Sequence, residues 1–246
     1  MRRRFIADTW TTTTATLTGD QAVHLARVLR GQPGDVYDIV AGGFLHRAEI
    51  ATATDTQVTF LLHEQLESGS ALPLHLLLAV FKFDHFEWGV EKATELGVAR
   101  ITPILARRTE KHLAQAAGKR VERWRRIALE AAKQSRRTDV PEIADPSPLK
   151  LALAQESAPT RILLSEAEQQ IGLSAALANP VSPDALGRLT HALAIGPEGG
   201  WAPEEMALFT THHWQHVTLG PRILRAETAA IAAIALVADH LNNRAG

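Results

Sequence analysis

Apolar and polar residues alternate with period two from Thr56 to His63, which puts Val58, Phe60 and Leu62 on one face of a half-buried strand. Val36 to Ala41 and Phe44 to Ile50 are apolar-rich and joined by Gly42-Gly43, so they predict a hairpin. A helix comes before them. Thr18 with Gln21 three positions on reads as a capping box, Ala22, Leu25, Ala26 and Leu29 recur at helical spacing, and Gly31 to Gly34 ends the run. A small barrel or sandwich of about 65 residues, carrying this one helix, is the simplest assembly.

Leu66 to Pro73 contains Ser68-Gly69-Ser70 and reads as a linker, after which the pattern changes. Leu74 to Phe81, Ile101 to Leu105, Arg161 to Leu164, His191 to Ile195 and Val217 to Leu219 are short, continuously apolar, and separated by helical stretches. Strands buried on both faces look like this, so a parallel α/β sheet is expected. Asp84 with Glu87 reads as a cap for a helix with Phe86, Val90, Ala93 and Gly97 on one side. Val121, Trp124, Ala128 and Ala131 mark the inner face of a second, strongly basic helix. The proline-rich segment from Pro141 to Pro159 predicts a surface connection. In the last helix, from about Glu227 to Leu241, Ala229 to Ala238 is apolar all round and needs cover on every side, which predicts a homodimer built on it.

Composition narrows the chemistry. The 246 residues include no cysteine, which excludes a disulfide scaffold, a thiolate nucleophile, a cysteine-ligated zinc site and an iron–sulfur cluster. The longest apolar run is about half of the ~20 residues a membrane span needs. Met1 to Phe5 is basic, but no apolar signal-peptide core follows it, so the mature protein is expected to be the whole chain, in the cytoplasm. His212 and His216 have metal-ligand spacing only if helical, with no carboxylate nearby, and no metal is expected. The net charge of −1 hides an uneven distribution. Arg107 to Arg137 carries 11 basic residues against Glu110, Glu122 and Glu130, and the first 30 residues carry five against Asp8 and Asp20. Two basic segments in an otherwise acidic chain point to a polyanionic partner.

No P-loop, dinucleotide-binding glycine fingerprint or nucleophile elbow is present. Three strand ends share another character: Leu164-Ser165-Glu166, Ile195-Gly196-Pro197-Glu198-Gly199-Gly200, and Leu219-Gly220-Pro221-Arg222-Ile223-Leu224-Arg225. Glycine and proline here serve equally as plain turns. Together, at the carboxyl ends of parallel strands, they form the place where open α/β sheets bind ligands, and glycine lets the backbone approach a flat one.

Gly196 to Gly200, Leu219 to Ala229, Glu91 to Val98 and Gln134 to Pro141 together closely resemble the RsmE-type methyltransferases of the SPOUT superfamily. His24 to Arg30 and Arg4-Phe5 are similar to that family's PUA-like domain. Trp201 stands where the family usually has Phe, and Ala226 where it commonly has Thr. The resemblance implies an α/β fold in which a PUA-like β-barrel, residues 1–70, precedes a SPOUT domain, residues 71–246, with a deep trefoil knot and a mainly parallel sheet. It implies methylation of N3 of a uridine in 16S ribosomal RNA of the small subunit. The methyl donor would be S-adenosylmethionine, held by Leu164, Ser165, Glu166, Ile195, Gly196, Pro197, Glu198, Gly199, Gly200, Leu219, Gly220, Ile223 and Leu224. A ribose 2′-hydroxyl methyltransferase and a non-catalytic ribosome-assembly protein are the alternatives. Arg225 is expected to orient the base and stabilise its anion, with Glu198 or Glu227 accepting the proton or holding Arg225. Arg2, Arg3, Arg4, Arg27, Arg30, Arg120, Arg123, Arg126, Lys133, Arg136 and Arg137 are expected to grip RNA phosphates.

Overall fold

The computed structural model describes residues 3–66, 71–178 and 190–243. Contacts divide the chain into two units, one of residues 1–70 with 132–139 and one of residues 71–131 with 140–246.

In the first unit β1 (Arg4–Ile6), β2 (Thr9–Trp10), β3 (Thr14–Thr18), β4 (Val36–Ala41), β5 (Phe44–Ala53) and β6 (Gln57–Leu66) form a sheet in the order β1-β4-β5-β6-β3-β2. β1 joins β4 in parallel and the other pairs are antiparallel. Gly42 and Gly43 turn β4 into β5 with φ of 60° and 85°, the left-handed pair that a two-residue hairpin requires. The alternation expected from Thr56 holds, with Val58 and Phe60 fully buried.

The helix is not as expected. α1 (Gly19–Val23) passes directly into a π-helical turn, His24–Val28. Its capping box does not form: the Thr18 N–H and hydroxyl donate to Asp8, and Gln21 donates to the Ile6 carbonyl 3.0 Å away. Tertiary acceptors on the neighbouring β segment outcompete the local cap.

The second unit is a parallel sheet, β10-β8-β7-β12-β11-β13, with β9 also on β8. Its strands are β7 (Leu72–Ala79), β8 (Val98–Leu105), β9 (Glu142–Ile143), β10 (Ser147–Pro148), β11 (Thr160–Leu164), β12 (His191–Ile195) and β13 (Gln215–Val217). Side chains alternate between two cores, as the period of a strand dictates. Leu74, Leu76 and Leu78 of β7 face one core, with α2 (Phe83–Glu95), α3 (Lys111–Gln134), α5 (Leu173–Leu177) and α7 (Ala226–Asn242). Leu77 and Ala79 face the other, with α4 (Leu149–Gln155) and α6 (Pro203–Thr211). The continuous apolar runs from Leu74, Ile101, Arg161 and His191 are thus strands between two cores, and the chain is an α/β protein; the run Val217 to Leu219 is not a strand, because the edge strand there is Gln215–Val217 and the chain leaves the sheet after it.

Three expectations change. The Leu66 to Pro73 linker is shorter, because β6 reaches Leu66 and β7 starts at Leu72; Ser68 to Ser70 lie outside the described residues. Asp84 and Glu87 form no cap: Lys82 precedes α2 without a side-chain bond, and Glu87 is drawn to α3, where Arg123 binds it through two bonds of 2.7 and 2.8 Å. Pro141 to Pro159 is no mere connection, since it supplies β9, β10 and α4 and buries Leu149, Leu153 and Ala158. Short strands at the edge of the sheet tolerate its prolines.

The third inward position on that second face of β7 is His75, and it is buried. It is balanced by Glu156 at 2.6 Å from Nδ1 and by Thr102 at 2.8 Å from Nε2. Burial pushes the Glu156 carboxyl up, but His75 and the Ala158 N–H outweigh it and hold it below its ordinary 4.5. A lowered folded-state value means stability that is present above pH 4.5 and lost as pH falls through the folded value. Glu156→Gln is therefore expected to lose stability at neutral pH, by up to about 3 kcal/mol, and to approach the parent as pH falls through the lowered value of the Glu156 carboxyl. Urea unfolding across pH 3–7 checks this; parallel curves would refute it.

Candidate functional site

β7, β12, β11 and β13 run in the same direction side by side, so their carboxyl ends open on one edge. β12 comes late in the chain yet lies between β7 and β11, which makes this a point where strand order is broken. A cavity of about 1110 Å³ occupies it.

All thirteen residues expected to hold a cofactor line that cavity, as do Arg225 and Glu198. The floor is apolar, from Leu164, Ile195 and Val217 at the strand ends, with Leu219 and Leu224 in the loop that follows. The Glu198, Gly199, Leu219 and Leu224 N–H groups donate to no protein group among the described residues. Gly220, at φ +109° with open space where a Cβ would stand, adopts a backbone that other residues rarely take.

The loops after β11 and β12 are fastened by bonds of their own and by neighbouring side chains. Gly200 N–H reaches the Pro197 carbonyl at 2.8 Å, and Arg108 donates to the Gly199 carbonyl at 2.6 Å. Glu168 caps the Gln170 and Ile171 N–H groups at 2.7 and 3.0 Å, bonds that hold its carboxyl below the usual range. Glu205, 5% exposed, bonds the Ala202 N–H at 2.8 Å and the Arg107 N–H at 2.7 Å, tying the start of α6 to the end of β8. Most of the wall is therefore backbone that neighbouring side chains hold in place.

Glu227 is elsewhere. Its side chain is 2% exposed, it is not part of the cavity wall, and its partner is His85 rather than Arg225. Arg225 itself is exposed, just before α7, with no partner among the described residues.

Lys82, His85 and Arg108 line the cavity without having been expected. The signal was available in part, since Lys82 and His85 follow β7 and Arg108 follows β8 just as the glycine loops follow their own strands. Trp201, noted only as a departure from Phe, is also in the wall, with an indole N–H that is buried and unpartnered.

The arginines expected to meet a polyanion have divided fates. Arg120 and Arg123 converge on Glu87, and Arg120 lies 4.7 Å over the Phe83 ring. Arg126 is exposed and unpaired among the described residues. In the other unit Arg4 bonds the Arg136 carbonyl, Arg137 binds Asp139, and Arg27 meets Asp55 at 2.8 Å. Arg3 and Arg30 are exposed, Lys133 is half-buried, and Arg2 lies outside the described residues. His212 closes α6 while His216 sits on β13, so the helical spacing that a metal pair would need does not arise.

A family model described as an RNA methyltransferase domain matches residues 68–238. Ribosomal RNA small subunit methyltransferase E of Synechocystis is 34% identical over 227 residues, 91% of this chain and 72% of that protein. The Bacillus subtilis protein of the same name is 32% identical over 230 residues, 91% of this chain and 89% of its own. Among solved structures, ribosomal RNA small subunit methyltransferase E from Neisseria gonorrhoeae bound to S-adenosyl methionine is similar at a TM-score of 0.76. It is 27% identical and is covered over 96% of each chain.

Arg108→Ala is expected to loosen the glycine loop. Amide exchange at Gly200 should rise roughly fivefold, the effect of about 1 kcal/mol of lost hydrogen bonding, with exchange in β12 unchanged; equal rates at Gly200 would refute the clamp.

Proposed function

The chain belongs to the RNA methyltransferase family, among the ribosomal RNA small subunit methyltransferases E, and from that premise we propose that it methylates N3 of a uridine in 16S ribosomal RNA. Its methyl donor is S-adenosylmethionine, which supplies an electrophilic methyl carbon when bound. The observation that carries the reading is the cavity at the strand-order break, whose wall combines unpartnered backbone donors with an apolar floor. That lining suits the edge and faces of an adenine ring, which offers acceptors at its rim and little charge. Leu164 to Glu166, Ile195 to Gly200 and Leu219 to Leu224 would hold the donor. β12 inserted between β7 and β11, with β13 beyond, supports the knotted course expected of the family.

The acceptor must be positioned and must lose a proton. An N3 anion spreads its charge onto the two carbonyl oxygens of the base, and a guanidinium with free donors is matched to such an array. Arg225 is unpaired and in the wall, so it is the group assigned to that task, with Arg222 beside it in the same loop. Arg126, Arg3 and Arg30 are exposed and suit phosphates, while Arg120 and Arg123 would first have to release Glu87.

Methylation of small subunits from a strain lacking the endogenous activity, followed by nucleoside mass spectrometry, tests the assignment. N3-methyluridine is expected; a 2′-O-methylated nucleoside, or donor binding without any product, would overturn it. Arg225→Ala should abolish product while leaving donor affinity by calorimetry within a few-fold.

We further infer that two copies associate through α7. Its inner face, from Ala226 to Val237, is buried, whereas Ala235 and Leu236 are exposed, Leu236 by 41%. Light scattering at micromolar concentration should give a dimer mass, and Leu236→Lys should shift it toward monomer; a monomeric parent would refute this.

A further inference from the structure

His85 is the third residue of α2, and its side chain is 30% exposed at the cavity wall. Its Nδ1 lies 3.2 Å from Oε1 of Glu227, the second residue of α7. The contact is within ion-pair range but off the line of a hydrogen bond, and Oε2 of the same carboxylate is buried without a partner. Burying an acceptor in that condition is costly. His85 is the one basic side chain paired with Glu227 among the described residues. On the other side of the ring, Nε2 is 3.7 Å from Oδ2 of Asp84, whose side chain is 78% exposed. The imidazole thus lies between a buried carboxylate from α7 and a solvated one from α2. Lys82, Arg108, Arg222 and Arg225 are the other basic groups of the cavity, and Glu166, Glu168 and Glu198 its acids.

We propose that His85 is the base that takes the acceptor's proton and that Glu227 is its positioning residue. The proposal rests on the reading of the cavity as a methyl-transfer site. No other basic group in the wall fills the role as well. Arginine cannot accept a proton and the ammonium of Lys82 has no acceptor, whereas an imidazole changes charge near neutral pH. With Glu227 on the Nδ1 side, Nε2 is left on the far side of the ring to accept the proton. Active-site contacts of this kind are often loose in the empty enzyme and tighten when substrate is in place.

The step balances. Nε2 accepts the N3 proton of the uridine, and the N–H electron pair stays on N3 to form the new nitrogen–carbon bond as the methyl carbon parts from sulfur, which keeps the pair of the broken bond. The imidazolium then gives its proton to water at the exposed Asp84 side.

His85→Gln preserves size and removes the base. It should lower kcat by at least ~10²-fold at neutral pH, erase the acidic limb of the pH–rate profile, and leave donor affinity by calorimetry within a few-fold. Glu227→Gln should keep partial activity and move that limb to lower pH. Independently of turnover, the His85 ring nitrogen resonances should titrate at lower pH in Glu227→Gln than in the parent protein. Added imidazole should restore turnover to His85→Gly, which separates a missing base from a damaged fold. The proposal is overturned if His85→Gln keeps kcat within threefold with the same acidic limb, or if the His85 titration ignores Glu227→Gln. A parent protein that methylates no nucleoside would instead overturn the methyl-transfer reading, and the resonance comparison would still decide whether Glu227 governs His85.

Discussion

The common direction of the strands in the second unit is the constraint on which the site depends. A parallel sheet must send its chain back through a crossover after every strand, so all carboxyl ends collect on one edge and all return helices cover the faces. Edge and faces then divide the labour. The faces need apolar residues on both sides of each strand, which accounts for the unbroken runs at Leu74–Phe81 and His191–Ile195. The edge is released from that demand, and there the chain can place glycine, proline and charge without losing core. Because β12 enters between β7 and β11, loops distant in sequence are brought together, Ser165 to Glu168, Gly196 to Gly200 and Leu219 to Arg225 among them.

A pocket made from loops has to be held still, and this one is held by side chains in and around its own wall. Arg108 on the Gly199 carbonyl, Glu168 on the N–H groups of its own loop, and Glu205 on Ala202 and Arg107 each restrict a segment whose backbone forms the wall. The same economy appears in the charge pattern. Arg123 is committed to Glu87 and Arg137 to Asp139, so the excess of basic residues along the chain overstates the number of cations available to a polyanion. Exposed pairs such as Arg27–Asp55 add little stability, so releasing one for a polyanion would cost the fold little.

The legible parts of this molecule are those set by local periodicity. Val58 and Phe60 alternate into a core, the apolar runs are buried strands, and the glycine loops follow the strands that carry them. Long-range competition was not legible. Thr18 and Gln21 have the residues of a capping box, but Asp8 and the Ile6 carbonyl take their hydrogen bonds; Glu87 has the spacing of a cap and is claimed by an arginine 36 positions away. Pro141 to Pro159 looked like connection because edge strands of two residues leave no periodic trace. Lys82, His85 and Arg108 were missed for a related reason. That β7 and β8 are neighbours is readable from sequence, but not that β12 inserts on the far side of β7 and brings its loop to theirs.

Glu227 shows how such a placement alters the chemistry assigned to a residue. Near the start of an almost wholly apolar helix, it reads most simply as an acid complementing the helix dipole. An exposed acid in that position would satisfy its oxygens with water. The Glu227 side chain is 2% exposed, which removes that option, and the one basic side chain paired with it among the described residues is an imidazole at the cavity wall. Packing α7 against α2 therefore does more than fill the core, because it fixes the distance between a carboxylate and the ring it can orient. A substitution in that helix contact, remote from any substrate, would alter the geometry of the pair through the backbone alone, so the packing of two helices and the proton inventory of the site are one physical problem.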